Sequence, residues 1–165
     1  MNEAAKNPNL DATDLRLLEL LQNDASLSNQ ALAERAHVSP ATCLRRVARL
    51  TAAGVIERRV ALLSVEKLGA GLTAVVEITL DRQGAELLAA FEARVASDAS
   101  VQQCYRVSPG PDFVLVVQVA DMPGYHALVQ RLFTIDANVR NVKAFFSVHR
   151  AKFDTRIALP PPREA

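Results

Sequence analysis

The stretch from Ser39 to Gly54, Ser-Pro-Ala-Thr-Cys-Leu-Arg-Arg-Val-Ala-Arg-Leu-Thr-Ala-Ala-Gly, constrains the fold of this chain more than any other. It opens with Ser39 in position to cap a helix and Pro40 at the first helical residue, where a missing N–H is harmless. It closes with Gly54, suited to the left-handed turn after a helix. This punctuation predicts a helix. Ala41, Leu44, Val47, Ala48 and Leu50 follow the spacing of a packed face, while Thr42, Arg45, Arg46 and Arg49 fall at i, i+3, i+4 and i+7 on another side. Guanidinium groups offer forked donors to phosphate oxygens and guanine edges, so such a row fits nucleic-acid contact. A solvated cationic face is the plain alternative.

The net charge of the 165 residues is only +1, so no global basic field marks a nucleic-acid partner. The distribution is uneven. Residues 28–63 hold six arginines (Arg35, Arg45, Arg46, Arg49, Arg58, Arg59) against two acids (Glu34, Glu57), a local net of +4, whereas residues 64–165 balance at 11 basic against 11 acidic. Cys43 and Cys104 are not closely spaced, which argues against a disulfide framework or a zinc ribbon and leaves them as small buried hydrophobes. His37, His126 and His149 are scattered without ligand spacing, so no metal site is expected. No apolar run approaches the roughly 20 residues of a membrane span, and the first residues lack the apolar core of a signal peptide, so a cytoplasmic protein with no membrane partner is expected.

Residues 1–9 are polar and read as a flexible arm. A core-facing helix begins at Asp11, its N-cap, with Asp14 in the first turn and an apolar stripe through Leu15, Leu18 and Leu21. Ser28 caps a second short helix ending near Ala36, and only His37-Val38-Ser39 separate it from the Pro40 helix. Two short helices in tight succession, the second carrying Thr and Arg near its start, form a helix-turn-helix pattern. The β-rich run Val55-Ile56-Glu57-Arg58-Arg59-Val60-Ala61-Leu62-Leu63 is expected to supply the hairpin of a winged helix, with Arg58 and Arg59 near a phosphate backbone. Cationic residues on both helix and wing favour double-stranded DNA as the partner.

These residues resemble a family. Leu10-Asp11-x-x-Asp14, Ser28-Asn29 with Leu32-Ala33, Ser39-Pro40-x-x-Cys43-Leu44-Arg45-Arg46-Val47-x-Arg49-Leu50, Gly54-Val55-Ile56 and Ala61-Leu62-Leu63 are similar to the Lrp/AsnC transcription factors of bacteria and archaea. The resemblance covers roughly residues 10–152 and is most specific over the Ser39 segment. It implies an N-terminal winged helix joined to a C-terminal effector and oligomerisation domain, with dimers often associating into octamers.

The second half reads as β-α-β-β-α-β. Residues 64–72 are a linker around Gly69 and Gly71, and 73–80 a strand rich in β-branched residues. Residues 85–96 make an amphipathic helix, and Val101, Gln103, Tyr105 and Val107 alternate with Gln102, Cys104, Arg106 and Ser108 as in a strand. Phe113 to Val119 suits an interior strand, Tyr125, Leu128, Val129, Leu132 and Phe133 line a further helix, and Val142 to Val148 supply the last strand. The fold class is therefore α+β, a winged helix-turn-helix over 10–63 and a ferredoxin-like βαββαβ domain over 73–152, followed by a tail over 153–165 whose Pro160-Pro161-Pro162 run excludes regular structure. Two helices on one sheet face leave the other uncovered, which predicts a homodimer.

No catalytic signature is present: no nucleophile elbow, P-loop, dinucleotide fingerprint or histidine–acid cluster, so an enzyme is not expected. Ser108-Pro109-Gly110-Pro111-Asp112-Phe113 reads as a hairpin turn from its residues alone. Its functional alternative is ligand capture, with backbone N–H groups around Gly110 taking a carboxylate and Asp112 an ammonium group. The family resemblance implies an amino-acid effector near such a turn, with Val142 and Ala144 on the last strand where the family often carries Thr or Ser; here neither offers a hydroxyl. DNA contacts are expected from Ser39, Pro40, Thr42, Arg45, Arg46, Arg49, Arg58 and Arg59, and effector contacts from Ser108, Gly110, Asp112, Val142 and Ala144. The function expected is a sequence-specific transcriptional regulator modulated by an amino acid. The alternatives are a nucleoid-organising DNA-wrapping protein without effector response, or a metabolite-binding module or enzyme.

Overall fold

The computed structural model describes residues 9–69, 71–136 and 138–161, so most of the expected N-terminal arm and the last residues of the expected tail lie outside the described residues. The chain forms two compact units, one of residues 1–62 together with 152–165 and one of residues 63–151.

The first unit holds α1 (Ala12–Asn23), α2 (Asn29–Ala36) and α3 (Pro40–Ala52). All three starts are capped as their sequences dictate. The Asp11 carboxylate accepts from the Asp14 N–H at 2.9 Å while the Asp14 carboxylate accepts from the Asp11 N–H at 3.2 Å, a reciprocal capping box. Ser28 Oγ accepts from the Ala31 N–H and Ser39 Oγ from the Thr42 N–H, each at 3.2 Å. The α2–α3 turn is made by His37 in the left-handed region at φ 56°, and Gly54 at φ 70° ends α3. Leu17, Leu21, Leu32, Ala33, Ala36 and Cys43 form the core, flanked by Val47 and Ile56.

The segment after α3 departs from expectation. Residues 57–64 form no strand and are exposed along their length. The reason is local: Val55 to Leu63 contains no Gly, Pro, Asn or Asp, so nothing there reverses the chain into a two-stranded hairpin. Residues 155–159 belong to this same unit. The Ile157 N–H donates to Gln22 Oε1 at 2.7 Å, Gln22 Nε2 donates back to the Ile157 carbonyl at 3.2 Å, and Arg156 Nη1 donates to Asn23 Oδ1 at 2.7 Å. A cleft of about 900 Å³ runs between the end of α1, residues 55–62 and this returning segment.

In the second unit β1 (Leu72–Leu80), α4 (Ala85–Ala96), β2 (Val101–Arg106), β3 (Phe113–Val119), α5 (Met122–Val129), a π-helical turn over Gln130–Thr134 and β4 (Val139–Phe146) follow one another. The strands make one antiparallel sheet in the order β2-β3-β1-β4, the ferredoxin-like arrangement. Alternation sorts the side chains. Ala74, Val76, Ile78, Leu80, Phe113, Leu115, Val117 and Val119 meet Phe91 and Val95 of α4 and Leu128 of α5 in the core. The opposite face shows Val75 and Phe145, which pair across β1 and β4 and are 39% and 46% exposed, together with Tyr105 at 54%.

In β2 the expected alternation breaks. The register shifts between Val101 and Gln103, so Val101 and Cys104 both pack on the core side while Tyr105 turns to the open face. A bulge of this kind inserts one residue and inverts the pleat beyond it.

Candidate nucleic-acid interface and effector turn

α3 is oriented by its buried side, Cys43, Val47 and Leu50, at i, i+4 and i+7. Ala41, Leu44 and Ala48, expected on the packed face, are exposed instead. Both sets have helical spacing, and Cys43 and Val47 are the ones that pack with the apolar residues of α1 and α2.

The arginines therefore divide into two kinds. Arg46 Nη1 donates to Asp11 Oδ2 at 2.6 Å and to Asp14 Oδ1 at 2.9 Å, with its side chain 24% exposed. Arg49 reaches the other oxygen of Asp14 through Nη2. The Asp14 side chain is 1% exposed, so one buried carboxylate of α1 binds two guanidinium groups of α3. Burial pushes Asp14 upward, but hydrogen bonds from Arg49, Arg46 and the Asp11 N–H outweigh it and hold the group below its ordinary value. Asp11 is lowered in the same manner, burial opposing and Arg46 prevailing.

Arg45 is exposed and has no acidic partner among the described residues, and the same holds of Arg58 and Arg59. Arg45 joins Arg46, Arg49 and Asp11 around a cleft of about 350 Å³, whereas Arg58 and Arg59 line the larger cleft beside α1. Ser39 and Pro40 are exposed at the start of α3, and the Ser39 hydroxyl donates to Thr42 Oγ1 at 2.9 Å. The expected row of Thr42, Arg45, Arg46 and Arg49 is thus divided, with Arg46 and Arg49 paired to acids at the start of α1 and Arg45 left exposed. Asp11 and Asp14 were missed as their partners because they lie 35 and 32 residues from Arg46, a separation that no helical spacing links.

The Ser108–Asp112 segment connects β2 and β3. Gly110 sits at φ 124°, a conformation that L side chains rarely adopt. Asp112 is engaged: its Oδ2 accepts from the Leu80 N–H at 2.7 Å and its own N–H donates to the Ile78 carbonyl at 2.8 Å. It fastens the turn to the end of β1. Ile78 pairs with Phe113 on one side and Val142 on the other, so Val142 and the turn lie at the same end of the sheet, separated by β1. Val142 and Ala144 pack against the core and belong to the helix-covered face, not the open one. Among the described residues no group of three His, Cys, Asp or Glu could hold a metal ion, and no helix is long and apolar enough to cross a membrane.

A family model described as winged helix-turn-helix DNA-binding matches residues 10–57, and one described as the Lrp/AsnC ligand binding domain matches residues 73–157. The chain is 35% identical over 150 residues to the DNA-binding transcriptional activator DecR of Escherichia coli K12, covering 91% of this chain and 99% of that one. It is 33% identical to the leucine-responsive regulatory protein of Salmonella typhimurium, covering 96% and 98%. Among solved structures, an AsnC family transcriptional regulator from Agrobacterium tumefaciens superposes with a TM-score of 0.85 at 32% identity, over 90% of this chain and 97% of that one. A Neisseria meningitidis transcriptional regulator solved with L-Met superposes with a TM-score of 0.81 at 30% identity, over 90% and 96%. A two-part match that spans most of the chain, in the order in which its two units are built, makes this protein a member of the Lrp/AsnC family of transcriptional regulators, which are not enzymes.

Proposed function

We propose that the protein is a transcriptional regulator that binds double-stranded DNA through residues 10–63, with α3 entering the major groove, and that residues 73–152 hold subunits together and receive an amino acid. The observation that carries this reading is the exposed start of α3: Ser39, Pro40, Thr42 and Arg45 stand at the surface or its edge on a helix whose rear is fixed by Cys43, Leu50 and Asp14. Helix N-termini attract phosphate, and the early residues of a recognition helix are those that reach base edges. Arg45 and, from the following segment, Arg58 and Arg59 supply cations not neutralised by a described acid.

Homodimerisation through the open sheet face is the proposed association, supported by its exposed Val75, Phe145 and Tyr105, which a water-facing sheet would not favour. Octamers assembled from such dimers are the further state proposed, in a cytoplasmic setting. Effector binding near Ser108 and Gly110, with Val142 and Ala144 at the same end of the sheet, is the finer proposal. It draws on the L-Met complex of the Neisseria relative. The bond from the Leu80 N–H to Asp112 favours a second reading, a DNA-organising protein whose turn is purely structural.

Titration of the purified protein with its own upstream DNA and with random DNA of equal length, over a salt series and with and without L-methionine and other amino acids, separates the two. Preference for the upstream fragment, altered by one amino acid, supports the effector-gated regulator. Equal and steeply salt-dependent binding without amino-acid response supports the second reading, and no binding to either fragment overturns both.

A further inference from the structure

Leu44 is 62% exposed on α3, while Cys43 before it is fully buried and Leu50 is 1% exposed. Within α3 it is the one long apolar side chain on the exposed side. Two of its neighbours one turn away, Ala41 and Ala48, are small and exposed. Arg45 follows it directly and is free of described acidic partners, whereas Arg46 and Arg49 are held by Asp14. The fifth and sixth residues of the helix thus bring an exposed apolar side chain and an exposed guanidinium to consecutive positions.

In the major groove, adenine, guanine and cytosine offer donors and acceptors, and thymine alone adds an apolar group, its C5-methyl. A leucine set against a polar base edge strips water from groups it cannot satisfy; set against a methyl, it removes apolar surface from water on both sides. We propose that Leu44 is a specificity-determining residue of the DNA-binding surface, reading the C5-methyl of a thymine next to the position held by Arg45. The proposal rests on the DNA-binding reading above and adds to it the identity of one base and the group recognised.

The test uses the full chain. Duplexes with a randomised centre are selected on the wild-type protein, and the preferred duplex is remade with each thymine in turn replaced by deoxyuridine, which lacks only the methyl. Affinities are measured for the wild type and for Leu44→Ala. One thymine in each half-site should weaken wild-type binding about three- to fivefold on losing its methyl, the worth of one buried carbon. Leu44→Ala should bind the thymine and deoxyuridine duplexes within about twofold of each other while melting like the wild type. Wild-type indifference at every thymine overturns the proposal, and so does an undiminished methyl preference in Leu44→Ala; the wild-type arm is free of any folding effect of the variant. Failure to enrich any duplex overturns the DNA-binding reading itself and is distinguishable from both.

Discussion

Arg46 donates from Nη1 to Asp14 Oδ1 at 2.9 Å, joining the middle of α3 to the first turn of α1 across 32 residues of sequence. The same Asp14 side chain completes the capping box that starts α1 and accepts from Arg49. One carboxylate therefore sets both where the first helix begins and how the third lies against it.

Replacing Asp14 by Ala should destabilise the first unit by about 2–3 kcal/mol, because it takes from Arg46 the buried one of its two carboxylates and removes half the capping box, with a discount for the Asp11 partner that Arg46 keeps and for the half-exposed Arg49. Urea unfolding followed by helical circular dichroism checks this. A midpoint equal to that of the wild type would show that the ion cluster contributes nothing to stability.

Acid should act through the same cluster. Asp14 and Asp11 titrate below their ordinary value of 3.8 in the folded chain, so the unfolded chain binds more protons in that range. Their contribution is present above the ordinary value and is lost as pH falls through it toward the folded one. Between about pH 5 and pH 3 the urea midpoint of the wild type should fall more steeply than that of Asp14→Asn, which has no carboxylate to protonate there. Parallel slopes would remove Asp14 from the acid response.

Arg45→Ala should leave folding unchanged and weaken DNA binding, lowering the slope of log affinity against log salt by about 1 if the contact is to phosphate. Arg46→Ala should do the reverse, lowering the unfolding midpoint first. Fluorescence anisotropy over a salt series, beside melting curves, distinguishes these two adjacent arginines; a strong salt-slope change in Arg46→Ala with normal stability would contradict the division drawn from the ion pairs.

Val75→Asp places a charge where Val75 pairs with Phe145 on the open face. It should shift the protein to monomers in sedimentation velocity with its secondary structure retained, since Val75 is outside the core. Dimers of undiminished stability would move the subunit contact to another surface.

Most of the architecture was legible because its signals are local. Asp11, Ser28 and Ser39 cap what they should cap, and Phe113 to Val119 is apolar but for Gln118 because it lies between two other strands. What escaped depended on partners distant in sequence or on a choice between equivalent patterns. Leu44 and Cys43 each fit a helical apolar stripe, and only docking against α1 and α2 decides between them. The bulge after Val101 leaves no residue signature, yet it moves Cys104 to the core side and Tyr105 to the open one. Asp112 looked available for a ligand because its bond to the Leu80 N–H joins residues 32 apart.

The bonds between Gln22 and Ile157 have a topological consequence. The chain leaves the first unit after residue 62 and re-enters it at residue 152, so the whole second unit is an insertion within the first. Folding that insertion fixes the distance between its two ends and thereby the effective concentration at which Ile157 meets Gln22. A ligand that alters how the inserted unit holds its ends would then change the docking of residues 155–159 without touching them, and an isolated fragment cut at residue 62 would lack one of its own pieces.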